Sequence, residues 1–142
     1  MKGMEKQHSF SFCPGHAQFV VYDVQAEYDV NQDPLWGRPD EREAALSSRL
    51  TELAIGLLDD QDVTVVLEVG LQRPSPPEGT WAVQAQATLS VPSGMLGIRD
   101  VVADGPAFVA QVPPGLLNVG ISGRLSAEEH LFLLRVWPVN TD

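Results

Sequence analysis

The chain has 142 residues, 44% of them apolar, and carries 19 acids against 9 bases for a net charge of −10. That length suits one domain spanning residues 1–142 with a real core, and the apolar content excludes wholesale disorder. The charge argues against nucleic acid or an anionic membrane as direct partner, since both need a cationic face, and it favours a basic partner.

The opening MKGMEKQHSFSFCPG has lysines but no continuous apolar run ahead of a small-residue cleavage site, so no signal peptide is expected. No apolar stretch is long enough to cross a bilayer, and the lone Cys13 allows no internal disulfide. A cytoplasmic protein is the expectation. HSFSFC and HAQFVVYDV predict two strands around a Pro14–Gly15 turn, with Phe10 and Phe12 on one face and Phe19 and Val21 on one face.

Residues 25–39 then form a polar, proline-containing loop. PDEREAALSSRLTELAIGLL predicts a helix, because Leu46, Leu50, Leu53 and Leu57 fall on one stripe. Asp40 followed by Glu43 fits a capping box, and Gly56 suits the helix end. Residues 54–58 read equally as a short strand.

Beyond Asp62 the pattern turns to strands. VTVVLEVGL is rich in β-branched residues, and RPSPPEG is a stiff loop. TWAVQAQATLSV alternates throughout, with Trp81, Val83, Ala85, Ala87, Leu89 and Val91 opposite Gln84, Gln86, Thr88 and Ser90. Four more candidates follow: MLGIRDV, AFVAQV, LLNVGISGRL and LFLLRVWPV, with Trp137 assigned to the core. The result is an all-β (mainly) fold: an antiparallel β-sandwich of about eight strands with one helix.

Chemistry-bearing signals are sparse. Cys13, His8 and His16 cluster near the start, but zinc needs three or four ligands and there is no second cysteine. VGISGR lacks the second glycine of a nucleophile elbow. Asp59, Asp60 and Asp62 lack the spacing of a calcium loop. No cofactor, no metal and no catalytic set is expected, so the chain does not read as an enzyme. A thiol enzyme using Cys13 with His16 or His8 is the weaker alternative.

The charge, by contrast, is concentrated. Asp23 to Asp62 holds eleven acids and three arginines, a net −8, whereas Gln72 to Asp142 has six acids and four bases. Within the acidic half, Tyr28 and Trp36 sit among Asp29, Asp33, Asp40, Glu41 and Glu43. Aromatic anchors inside a charged rim are the composition of a protein interface, and carboxylates can mimic the phosphates that a nuclease's basic groups hold. The same residues would serve equally to keep a long loop solvated.

HAQFVVYD, the loop with Trp36 and Asp40, the turns SVPSGMLGI and FVAQVPPGLLNV, and the closing LLRVWPV together resemble the competence protein J family over most of the chain. The resemblance implies a small acidic β-sandwich that inhibits a DNA-entry nuclease, akin to bacterial immunity proteins. It assigns no inhibitory residue here, so the interface residues Tyr28, Asp29, Asp33, Trp36, Asp40, Glu41 and Glu43 rest on charge and aromaticity. The expected partner is a basic protein, a nuclease or toxin, bound by a monomer or homodimer. The alternative is a sandwich that binds a ligand such as carbohydrate on Trp36, Trp81 or Trp137.

Overall fold

The computed structural model describes residues 6–13, 18–25, 46–48, 52–56, 62–100, 105–125 and 130–139. They form ten strands: β1 (Lys6–Phe12), β2 (Gln18–Asp23), β3 (Leu46–Ser48), β4 (Glu52–Gly56), β5 (Val63–Val69), β6 (Val83–Val91), β7 (Met95–Asp100), β8 (Phe108–Gln111), β9 (Gly115–Leu125) and β10 (His130–Pro138). One sheet has the order β1-β5-β10-β9-β6 and is called sheet A; the other, sheet B, has the order β3-β4-β2-β7-β8. All pairings are antiparallel except β5 with β10, where Leu131 to Val136 run parallel to Thr64 to Val69. The expected mainly antiparallel sandwich is therefore the fold, with one parallel seam in the middle of sheet A. No helix among the described residues is long and apolar enough to cross a membrane.

Period-two alternation builds the core. Val63, Val65 and Leu67 of β5, Phe132, Leu134 and Val136 of β10, and Phe19 and Val21 of β2 point between the sheets and are fully buried. All five phenylalanines of the chain join in one line of rings. Phe108 of sheet B stacks on Phe10 of sheet A at 4.5 Å, and Phe12 meets Phe19 edge-on at 6.1 Å. Phe19 in turn meets Phe132 across the sandwich at 5.4 Å. Such pairs add about 0.5–1.5 kcal/mol each beyond their buried area.

The helix expected over residues 40–57 is corrected where the chain is described. Leu46–Ser48 and Glu52–Gly56 are strands, paired through Leu46 with Ile55 and through Phe19 with Ile55. The leucine stripe is real in the sequence, but Leu53 and Ile55 are two apart and both fully buried in the inter-sheet core. A helix would turn those two side chains about 200° apart, whereas a strand puts them on one face. Partners distant in sequence thus override local helix propensity. Asp40, Glu43, Leu50 and Leu57 lie outside the described residues.

Trp137 is buried as expected, but on the other face. Phe132, Leu134 and Val136 fill the core, so Leu131, Leu133, Arg135 and Trp137 line the outside of sheet A. Gly120 makes room there: a Cβ on it would stand 3.4 Å from the indole. Gly123, on the inner face, is more tightly constrained, because a Cβ would stand 2.6 Å from the ring of fully buried Phe132. Gly123→Ala is therefore expected to destabilise the fold by about 1–3 kcal/mol through overpacking, read as a lower denaturation midpoint at unchanged slope.

Candidate functional site

Tyr28, Asp29, Asp33, Trp36, Asp40, Glu41 and Glu43 all lie outside the described residues. What is described is the frame that carries their segment. It leaves β2 after Asp23 and returns to β3 at Leu46, so both of its ends are fixed in sheet B.

The departure point is locked by a buried acid. Asp23 is 1% exposed and accepts three hydrogen bonds: from Ser93 Oγ at 2.6 Å, Ser93 N at 3.2 Å and Gln25 N at 2.9 Å. Ser93 lies in the turn between β6 of sheet A and β7 of sheet B, and its Oγ also accepts from Met95 N. Gly94, at φ 75°, supplies the left-handed residue that this turn requires. Val24 N donates to Met95 O, which extends the β2–β7 pairing past Asp23. One carboxylate thus ties the start of the anionic segment to the corner where the chain changes sheets.

Beside that corner, the outer face of sheet B carries Tyr22, Arg99 and Glu52. Tyr22 stands opposite Gly97 in the β2–β7 register, and a Cβ on Gly97 would come within 2.9 Å of its ring. Arg99 lies over the phenol at 5.0 Å and reaches Glu52 at 3.4 Å. Burial pushes the Tyr22 phenol above its ordinary value of 10.0; Arg99 pulls the other way and Glu52 adds to the rise.

The outer face of sheet A is different in character. β5 and β6 are separated by β10 and β9, so residues 70–82 cross over both strands. Prolines 74, 76 and 77 stiffen that crossing. Arg135 anchors it, donating to Ser75 O while pairing with Glu68 at 2.9 Å. Arg124 donates to Thr80 O and stacks on Trp81 at 4.4 Å, and Trp81 Nε1 donates to Glu78 O at 3.0 Å. Arg73 lies over Trp137 at 5.7 Å and reaches Gln86 at 3.5 Å. A groove of about 220 Å³ remains between Arg73–Pro77 and Gln84, Gln86, Ser122 and Trp137.

Sequence reasoning passed over this arginine–tryptophan face. The signal was the parity of Arg135 and Trp137 against Phe132, Leu134 and Val136, together with Gly120 opposite Arg135. The face also bears on the carbohydrate alternative. Trp137 is pressed between Gly120 and Arg73, and Trp81 already carries Arg124, so neither indole offers an open stacking platform of the kind a sugar needs.

Among the described residues the thiol and imidazoles do not converge. His8 faces inward against Phe108 at 5.5 Å, and its Nε2 is buried with no hydrogen-bond partner among the described residues. Cys13 is exposed five residues further along, roughly 17 Å away at strand rise. His130 is buried at the start of β10. His16 lies outside the described residues. No group of three or more metal-binding side chains occurs among the described residues.

No family model matches the sequence, and no curated protein matches it. Two solved structures share its fold. One is ComJ from Bacillus subtilis, described as an inhibitor of the DNA-degrading activity of NucA: TM-score 0.72, 10% identity, covering 98% of this chain and 99% of that one. The other is the crocagin biosynthetic gene J protein: TM-score 0.67, 14% identity, covering 95% of this chain and 98% of that one. The resemblance to competence protein J read from the sequence is thereby shown as a likeness of fold over nearly the whole chain.

Two measurements check this frame. Asp23→Ala leaves three donors at the corner without their acceptor and should lower stability by about 1–3 kcal/mol in a denaturant titration. Alkaline titration followed by phenolate absorbance should show a late-ionising phenol that is absent in Tyr22→Phe. The folded state holds that proton after the unfolded chain has lost it, so stability contributed below pH 10.0 is lost as pH rises through the folded value.

Proposed function

We propose that this chain is a non-catalytic inhibitor that binds and blocks a basic nuclease. The observation that carries the proposal is the concentration of charge. A net −8 falls between Asp23 and Asp62, and both ends of the segment bearing Tyr28 to Glu43 are held in sheet B. Asp29, Asp33, Asp40, Glu41 and Glu43 supply the field, and Trp36 and Tyr28 supply the anchors. An anionic surface of this density draws a cationic partner in at long range, and the aromatic groups then set the residence time.

The fold likeness to a protein described as an inhibitor of a DNA-degrading activity supports the same reading. A nuclease holds DNA through cationic groups, and carboxylates presented in place of phosphates compete for those groups. In this mechanism the inhibitor makes and breaks no bond; it occupies the substrate channel.

The test begins with capture of partners from cell extract at low salt and their release at high salt. Titration of the chain into a DNA-degradation assay of the captured nuclease should give stoichiometric inhibition. Asp40→Asn, Glu41→Gln and Glu43→Gln combined should slow association roughly tenfold or more, read by stopped-flow fluorescence. An unchanged association rate in that triple variant would reject the acidic interface.

A further inference from the structure

Sheet edges are sites where a protein can pair with another chain, and natural folds guard them with charge, proline, bulges or brevity. Three of the four edges here are guarded. β3 has three residues and β8 has four. β1 carries a charge, Lys6, at its start.

The fourth edge, β6, has none of these defences. Its nine residues VQAQATLSV contain no charge and no proline, and pair without interruption from Val83–Gly123 to Val91–Gly115. In an antiparallel pair, alternate residues exchange both backbone bonds with the neighbour and the others point both groups away. About four residues of β6 therefore present outward N–H and C=O groups. Gln84, Gln86 and Thr88 are exposed.

We infer that the outer edge of β6, which pairs with no strand among the described residues, pairs with β6 of a second copy of this chain, antiparallel about a twofold axis. Sheet A of each copy then continues into the other as one ten-stranded sheet. Two observations select a second copy over a foreign strand. First, the strand matches itself. About an axis at its central residue, Ala87, Gln86 faces Thr88, Gln84 faces Ser90 and Ala85 faces Leu89, with no charge opposed. It also carries no charged side chain that could choose a foreign sequence.

Second, the described charges on the outer face of sheet A are close to balanced. Each chain carries −10, yet the described charges on this face are Arg73, Arg124 and Arg135 against Glu68 and Glu78. The inference does not rest on the nuclease reading.

Sedimentation equilibrium of the full chain tests it. A monomer–dimer equilibrium is expected, and it should tighten as salt is raised, because salt screens repulsion between two anionic copies. Binding to a cationic partner weakens under the same change, so the two associations separate by sign. Gln86→Lys with Thr88→Lys sets like charges opposite one another and should leave a monomer that keeps the native far-ultraviolet circular dichroism spectrum. Gln86→Lys with Thr88→Glu sets opposite charges across the axis and should restore the dimer. A chain that stays monomeric at every concentration and salt, a dimer indifferent to the double lysine variant, or an edge that pairs only with an added foreign peptide would each overturn the inference.

Discussion

The arrangement of this molecule depends on one buried carboxylate. Asp23 ends β2, is 1% exposed, and is the one acid buried among the described residues. A buried acid is tolerated only when its oxygens are satisfied, and here Ser93 and Gln25 satisfy them. Those contacts fix three things together: the end of β2, the turn that carries the chain from sheet A to sheet B, and the point where the acid-rich segment begins.

With that corner set, the acid-rich sequence and the outer face of sheet A contrast in charge. Sheet B holds both ends of a segment whose sequence intersperses Tyr28 and Trp36 with carboxylates. Sheet A gathers Arg73, Arg124 and Arg135, buries Trp137, and holds its crossing loop by guanidinium contacts to Ser75 O and Thr80 O. The line of phenylalanine rings between the sheets is apolar and keeps the two faces apart.

Most of the strand content was legible because alternation is a local signal. Val63–Val69, Val83–Val91 and His130–Pro138 each repeat apolar residues at period two, and a strand wet on one side can be recognised from that alone. Residues 46–56 misled because their leucines satisfy a helical stripe, while the deciding partners, Phe19 and Val21, lie some thirty residues earlier. The face of Trp137 was misjudged for a related reason. Both parities of β10 are apolar enough to be core, and only Gly120 and the crossing loop, supplied from elsewhere in the chain, decide between them. The parallel seam between β5 and β10 and the arginine–tryptophan face are products of topology, which no short window contains. The acid-rich segment was legible as composition, which gives its charge and not its contacts.

The proposed function requires electrostatic attraction between the acid-rich segment and a cationic nuclease. Its most direct measurement is the association rate of the native chain with that nuclease across a series of ionic strengths. A steep fall in rate as salt rises, with dissociation little changed, is what the account predicts. A rate indifferent to salt would contradict it.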